Sequence, residues 1–446
     1  MKGLKDFIEI EDDSLIVKDR SNLLNALDSI LYEAVFEENE EKKKTHLEAI
    51  KEISKAEGII PASIQGLYEE MGKNYLGFAV PAINIRGLTY DVARVVFRKA
   101  LEHNVGAFIF EIARSEIGYT DQRPLEYVAI VMAAALKETW KGPVFIQGDH
   151  FQFSRKNHEK NAAQETAAIQ ELIREAIDAE FYNIDIDAST LVDLTKDAVK
   201  EQQKPNFERT AELTSFIRAI QPKGVTISIG GEIGEIGGKN STPEELRAFL
   251  DGFRGTFRGE KGLSKISVQT GTTHGGVVLP DGALARVKID FETLKTLSNL
   301  ARKEYGLSGC VQHGASTLPE SAFDMFPKAG TSEVHLATGF QNIIYESLSL
   351  PNAFREEVYN FIKKEYASER KEGQTEEQFI YSTRKRAFGS LKRKWWDLPS
   401  GVKAGIMKEL EERLALLFEK LKVVGTRKLV HDKVRPFCIH KEIMLV

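Results

Sequence analysis

The feature of the sequence that most restricts its fold is a series of eight short apolar runs, which alternate with longer amphipathic stretches. Each run is 5 to 8 residues long, as expected of a strand that is buried on both faces of a parallel sheet. The runs are Phe78–Asn84, Gly106–Glu111, Pro143–Asp149, Tyr182–Asp187, Val225–Glu232, Ile266–Thr270, Gly309–His313 and Val334–Thr338. The stretches between them are long enough for crossover helices, so the pattern predicts an α/β protein built on a (β/α)8 TIM barrel.

The length of the chain predicts additions to this barrel. A (β/α)8 barrel needs about 250 residues, and the chain has 446. We expect a helical N-terminal extension at residues 1–75, the barrel at 76–350 and a helical C-terminal extension at 351–446 that packs on the barrel. Within the last part, a basic stretch runs from Arg384 to Lys394 and is followed by Trp395 and Trp396. We interpret it as a helix that packs its tryptophans on the barrel; binding of an anionic partner is the alternative.

Composition and charge limit the classes of partner. The chain is 42% hydrophobic and 28% charged, with a formal net charge of -5, which is typical of a globular protein with a small-molecule substrate and does not favour nucleic acid. Two distant cysteines, Cys310 and Cys438, predict neither a disulfide framework nor a thiolate metal site. The N-terminus lacks the apolar segment of a signal peptide, and no stretch is long and apolar enough for a membrane span. These features favour a cytoplasmic protein.

Histidines and carboxylates fall at the predicted C-terminal ends of the strands, where barrel enzymes carry their reacting groups. His150 ends the third strand, His274 follows the sixth, and His313 ends the seventh. A single histidine at a strand end is more often a hydrogen-bonded core residue than a ligand. Three imidazoles at one rim, with water or a carboxylate, form a natural site for zinc or a similar divalent cation.

Two glycine-rich turns directly follow two of these histidines, at Gly275-Gly276 and at Gly314-Ala315-Ser316. Main-chain N–H groups in such turns can face an anion beside the metal. The alternative is that each turn needs glycine only for a positive φ angle.

At these positions the sequence resembles the class II, zinc-dependent fructose-bisphosphate aldolases and the wider ketose-bisphosphate aldolase family, roughly over residues 78–342. The motifs that carry the resemblance are Val80-Pro-Ala-Ile-Asn84, Asp149-His150, Ile186-Asp-Ala-Ser189, Glu232-Ile-Gly-Glu-Ile-Gly-Gly238, Gly271-Thr-Thr-His-Gly275 and His313-Gly-Ala-Ser316. They occur in the family's order and on the expected strands.

The resemblance implies roles for these residues. His150, His274 and His313 would hold one catalytic Zn²⁺, although Co²⁺, Mn²⁺ or Fe²⁺ could serve, and Asp149 would carry the proton. Glu232 would move a second proton or ligate the metal, and Asp187 would orient a ligand or hold a second cation. The remaining residues would bind a phosphorylated sugar beside a monovalent cation; they are Asn84, Gly275, Gly276, Gly314, Ala315, Ser316, His335 and Thr338. Family members usually form homo-oligomers, so we expect one here.

The chain also departs from the family. Val278 stands where relatives have a phosphate-contacting Lys, and His335 and Ala337 replace an Asn and an Asp on the eighth strand, whereas Thr338 is kept. After Gly238, Lys239 and Asn240 replace an acidic pair, which weakens the second metal position. Three cations are candidates to replace the missing Lys: Lys239, Arg286 and Lys156.

Several functions fit these observations. The first is reversible aldol cleavage of a ketose 1,6-bisphosphate, such as fructose 1,6-bisphosphate. The second is a ketose 4-epimerase, or an aldolase for another ketose of the tagatose type, which the changed eighth strand favours. The third is a non-catalytic barrel subunit, against which the retained histidines and Asp149 argue; an unrelated metal-dependent barrel is the last. An epimerase would use the same retro-aldol step without releasing a triose.

Overall fold

The computed structural model describes residues 7–11, 14–234, 238–271, 279 and 289–440. The strands are β1 (Ile8–Glu11), β2 (Ser14–Val17), β3 (Ile59–Ala62), β4 (Val80–Asn84), β5 (Ile109–Ala113), β6 (Gly142–Gln152), β7 (Asn183–Asp187), β8 (Ser228–Gly234), β9 (Lys265–Val268), β10 (Cys310–Gln312) and β11 (Glu333–Leu336).

Helices follow most of the strands. Up to the end of the barrel they are α1 (Arg20–Val35), α2 (Glu40–Ala56), α3 (Gln65–Lys73), α4 (Thr89–Glu102), α5 (Arg114–Tyr119), α6 (Pro124–Lys137), α7 (Arg155–Lys160), α8 (Ala162–Asp178), α9 (Val199–Ile220), α10 (Pro243–Thr256), α11 (Phe291–Tyr305), α12 (Met325–Lys328) and α13 (Thr338–Glu346). The later ones are α14 (Asn352–Glu365), α15 (Glu376–Thr383), α16 (Ala387–Ser390), α17 (Lys392–Trp396), α18 (Ser400–Lys420) and α19 (Arg427–Lys433).

Strands β4 to β11 form the barrel that the apolar runs predict. Each of these strands pairs in parallel with the next, and β11 closes the ring on β4, with Val334 opposite Pro81. β4 and β5 are buried along their whole length, because helices cover the outside of the barrel and side chains fill its inside. The predicted (β/α)8 fold is therefore confirmed, and the C-terminal ends of all eight strands meet at one rim.

The N-terminal segment is not purely helical, which corrects our expectation for residues 1–75. Helices α1, α2 and α3 are present, but β1 and β2 form an antiparallel hairpin and β3 pairs in parallel with β6, with Ile59 opposite Gly142. β3 pairs with the first residues of β6, on the edge of β6 that β7 occupies further along. The short apolar run of β3 forms a strand because this part of the edge would otherwise have no partner. Helix α3 then places Tyr68 under the barrel, where its hydroxyl donates to Glu333 at the start of β11.

The C-terminal segment is helical and packs on the barrel. Trp395 is buried against Tyr345 and Phe388, and Trp396 stacks on Tyr90 of α4 with ring centroids 6.3 Å apart. Helix α18 also packs against α4 and buries Leu410. The tryptophan packing agrees with our interpretation of the basic stretch, whereas the domain boundaries at residues 75 and 350 stay predictions. Within the described residues, no helix is long and apolar enough to cross a membrane.

Candidate active site

A bend near the end of β6 turns two consecutive side chains toward the mouth of the barrel. The pairing of β6 with β7 shifts by one residue between Gly148 and Phe151, which is a β-bulge. His150 lies within this bulge with a φ angle of 42°. A Cβ atom on Gly148 would lie 2.4 Å from the Phe151 ring, so the close packing of that ring requires glycine. Asp149 and His150 therefore both line the same cavity, although adjacent residues on a regular strand would point to opposite faces.

His150 and His313 form the first group of side chains at this mouth. The Nε2 atom of His150 lies 3.0 Å from Nδ1 of His313. The other ring nitrogen of His150 lies 3.0 Å from a Glu232 carboxylate oxygen and 3.1 Å from one of Asp187. Four predicted site residues from four strand ends thus converge. His274, Gly275 and Gly276, which we also predict at this site, lie outside the described residues.

His335 joins a second group, directly beside the first. Its Nδ1 atom lies 3.2 Å from Asp149 and 3.0 Å from Glu111, and its Nε2 atom lies 2.6 Å from Glu333. The rings of His335 and His313 are 4.1 Å apart between centroids. His335, predicted as a substrate-binding residue, thus also links Asp149 to carboxylates inside the barrel.

Below this group lies a layer of buried charges that sequence reasoning missed. Nζ of Lys265 lies 2.9 Å from Asp185, 2.6 Å from Glu333 and 2.7 Å from the side-chain oxygen of Gln147. All four side chains are buried. The sequence does contain a signal for this layer. Glu111 and Lys265 are charged residues in mostly apolar strands, and a charged side chain at such a position has to point into the barrel.

The carboxylates set the ionisation of the histidines. Burial lowers the pKa of His150, but the charges of Asp149 and Glu232 outweigh it and raise the pKa well above its usual value. His335 behaves in the same way, through Glu111 and Asp149. Burial, and next the charge of Asp187, raise the pKa of Glu232 to about 7. A carboxyl group with that pKa can both accept and donate a proton near neutral pH.

The mouth opens into a cavity of about 670 Å³. The predicted substrate-binding residues Asn84, Gly314, Ser316, His335 and Thr338 line it. Ala315 is fully buried and is not among the residues that line this cavity, so its part in substrate binding stays a prediction.

The cations in this wall are not the expected ones. Among the described residues, Arg86, Arg114 and Lys385 line the cavity, whereas Lys239 and Lys156 are exposed elsewhere. Arg286 and Val278 lie outside the described residues. Sequence reasoning missed Arg86 and Lys385 because neither residue belongs to one of the family motifs at the ends of the strands.

The donor atoms at the mouth suit a divalent cation. Ligand atoms of His150, Glu232 and His313 all lie within 4.8 Å of one another, as do those of Asp149, His313 and His335. Imidazole nitrogens combined with carboxylate oxygens form the donor set that zinc and related borderline metals prefer. The residues therefore fit the metal that the sequence implies.

Residues 70–394 match the family model described as fructose-bisphosphate aldolase class-II. The chain belongs to the class II fructose-bisphosphate aldolase family. The match begins at residue 70, close to the start of the resemblance at residue 78, but it extends to residue 394, well beyond residue 342. Part of the C-terminal helices is therefore common to the class II aldolases.

Solved structures that are similar to this chain share little of its sequence. A protein from Sinorhizobium meliloti 1021, described as a probable tagatose 6 phosphate kinase, is 18% identical with a TM-score of 0.53, over 80% of this chain and 94% of that one. The YdjI aldolase from Escherichia coli K12 is 16% identical with a TM-score of 0.48, over 82% of this chain and 98% of that one. Fructose-bisphosphate aldolase from Campylobacter jejuni is 17% identical with a TM-score of 0.47, over 82% of this chain and 97% of that one. No curated protein sequence matches the chain. The chain is thus a divergent member of its family.

Proposed function

We propose that the protein catalyses the reversible, zinc-dependent aldol cleavage of a ketose bisphosphate, with fructose 1,6-bisphosphate as the first candidate. The observation that carries this proposal is the bulge in β6, which brings Asp149 and His150 into one cavity. A proton-carrying carboxylate thereby stands directly beside a metal-ligand set. Membership of the class II aldolase family supports the same chemistry.

His150 and His313, with His274, would hold the zinc ion, and Glu232 is close enough to His150 to join them. When bound, the ion would act as a Lewis acid on the C2 carbonyl of the ketose. His313 is held for this role, since its Nε2 atom lies 3.1 Å from the Ser267 hydroxyl oxygen. Such a second contact fixes the orientation of a ligand ring.

Asp149 would accept the proton of the C4 hydroxyl as the C3–C4 bond breaks and the electron pair passes to the three-carbon fragment. In the condensation direction it would return that proton to the aldehyde oxygen. Glu232, with its pKa of about 7, would deliver the proton that C3 of the released fragment needs. Asn84 would position a substrate hydroxyl, because its buried Oδ1 atom has no hydrogen-bond partner among the described residues and lines the cavity.

The test is an assay of triose phosphate release. Zinc-loaded protein is incubated with fructose 1,6-bisphosphate, and the products are coupled to NADH turnover, with EDTA-treated and Asp149→Asn protein as controls. Metal-dependent release that depends on Asp149 supports the proposal. Folded, zinc-loaded protein that releases no triose phosphate would exclude this substrate.

A ketose 4-epimerase is the second candidate, and His335 favours it. His335 stands where relatives usually have Asn, contacts Asp149 and is held by Glu333. Such a change beside the proton carrier fits an altered handling of the aldehyde: cleavage, rotation of the aldehyde and rejoining would invert C4. The two candidates differ in product, because an epimerase yields the C4 epimer without free triose. Nuclear magnetic resonance spectra of a panel of ketoses would distinguish them.

A further inference from the structure

A half-buried lysine in the wall of the cavity has no direct contact with a counter-charge among the described residues. Lys385 lines the cavity, and its Nζ atom has no hydrogen-bond or ion-pair partner among the described residues. It lies 5.5 Å from the centroid of the Tyr119 ring, which attracts the ammonium group without neutralising it. Burial, and next the positive charge of Arg86, lower the pKa of Lys385, and the charges of Glu116 and Glu369 offset this only in part. A half-buried cation with no direct partner favours binding of an anion, because the negative charge would offset the cost of removing the cation from water.

Arg86 is the cation beside Lys385, and its own charge is only partly committed. Its Nε atom donates to Glu116 at 2.7 Å, and Nη1 donates to Gln341 at 2.9 Å. No described residue accepts a hydrogen bond from Nη2. The third cation of the wall, Arg114, donates from Nη1 to Glu165 and to the backbone oxygen of Gln152, each at 2.6 Å. Of these two arginines, Arg86 is the one beside Lys385, so Arg86 and Lys385 can offer donors to the same ligand.

The packing of the C-terminal segment holds Lys385 in this wall. The Phe388 ring covers Gly87, next to Arg86 in the chain, so closely that a Cβ atom there would lie 2.0 Å from it. A Cβ atom on Gly389 would likewise lie only 2.3 Å from the backbone carbonyl oxygen of Tyr119. The segment around Lys385 is thus fixed against the ends of β4 and α5, which limits the entropy that ligand binding has to overcome.

The surroundings of the two cations suit a phosphate group. The Thr338 hydroxyl lies 3.4 Å from Nη1 of Arg86, and Thr338 is the first residue of α13, whose N-terminus carries a partial positive charge. Gly314 and Ser316 line the same cavity. This neighbourhood offers guanidinium, ammonium and hydroxyl donors together, the combination that binds phosphate oxygens.

We propose that Arg86 and Lys385 bind the phosphate group of the sugar substrate, and so replace the lysine whose position Val278 occupies. This inference rests on the proposed function, since it takes the ligand to be a sugar phosphate. It gives the C-terminal helical segment a part in substrate binding: Lys385, from outside the barrel, determines specificity for phosphorylated substrates.

The test measures binding without turnover. Glycerol 3-phosphate, which can be neither cleaved nor condensed, is titrated into the zinc-loaded full-length protein by calorimetry, in parallel with glycerate and glycerol. We expect glycerol 3-phosphate to bind more tightly than glycerate, and glycerol not to bind measurably. Lys385→Met and Lys385→Gln should each weaken phosphate binding by about 10- to 100-fold, the usual effect of losing one charged hydrogen bond. Lys385→Arg should retain binding within a few-fold.

Lys394→Met is the matched control, because Lys394 belongs to the same basic stretch but pairs with Glu357 on the surface, with a side chain that is 54% exposed. It should bind glycerol 3-phosphate as the unchanged protein does. The proposal is overturned if the unchanged protein does not bind this ligand, if glycerate binds equally well, or if the folded Lys385 variants bind as tightly as the control. Binding that depends on Lys385 in a protein without aldol activity would refute the proposed function alone.

Discussion

The Nε2 atom of His150 and the Nδ1 atom of His313 face each other at 3.0 Å, with ring centroids 4.1 Å apart. The two nitrogens are close enough to share one hydrogen bond. Their lone pairs can also converge on one cation after a small adjustment of the rings. The residues belong to β6 and to the loop after β10, so the closure of the barrel alone brings them together.

Removal of one of these imidazoles should abolish tight metal binding. We expect His313→Ala to lower the affinity for Zn²⁺ by at least about 100-fold, more than the loss of a group that only orients a ligand. Metal content after dialysis, measured by mass spectrometry of the elements, tests this. His431→Ala is the control, because the His431 side chain is 84% exposed and remote from the cavity. Full metal content in His313→Ala protein would refute the ligand assignment.

Asp149 and Glu232 should serve two different proton transfers. Asp149→Asn should reduce triose phosphate release from fructose 1,6-bisphosphate by about 10²- to 10⁴-fold, the usual contribution of a general acid or base. It should still exchange a C3 hydrogen of dihydroxyacetone phosphate with deuterated water, since Glu232 would carry that proton. Glu232→Gln should lose the exchange, which nuclear magnetic resonance follows directly. Equal loss of exchange in both variants would contradict the division of roles.

His335 should stabilise the fold as a cation among carboxylates. Its side chain is 4% exposed and lies 3.0 Å from Glu111, so His335→Asn leaves buried negative charge without compensation. We expect the free energy of unfolding to fall by about 3 kcal/mol at pH 8, as is usual when a buried ion pair loses one partner. The urea denaturation midpoint measures this.

The pH dependence of this stability loss, together with a second substitution, distinguishes an effect of charge from an effect of packing. Burial raises the pKa of Glu111. The penalty is therefore full above that raised pKa, shrinks as the pH falls below it and the folded protein takes up a proton, and is gone below the ordinary pKa of a glutamate, where the unfolded chain is protonated as well. Adding Glu111→Gln to His335→Asn should recover most of the lost stability. A loss that is unchanged by pH and by the second substitution would point to packing instead of charge.

The two cysteines should differ in reactivity. Cys310 is buried in β10, and burial raises the pKa of its thiol to about 12. Only the thiolate reacts, so at pH 8 iodoacetamide should label native Cys310 at least about 100-fold more slowly than half-buried Cys438. Peptide mass spectrometry with and without urea measures both rates. Rapid labelling of Cys310 in the native protein would show that the barrel wall opens.

The strand positions were predictable because each barrel strand is a short run buried on both faces, and that burial requires a continuous apolar sequence. The strand β3 was not predicted: its run of four residues forms a strand only because β6 has an unpaired edge below β7. Similarly, the bulge that turns Asp149 and His150 to the same side depends on the packing of the Phe151 ring against Gly148.

The sequence by itself determined the barrel and the position of Asp149, His150 and His313 at one rim of it, because strand periodicity and motif order are local properties of the chain. The tertiary structure alone decided which charges meet. Lys385 lies outside the barrel strands, yet it faces the cavity beside Arg86 because the C-terminal segment packs against β4. Glu111, Lys265 and Glu333 meet because three strands face one interior. Contacts of this kind depend on how distant segments pack, which no local pattern records.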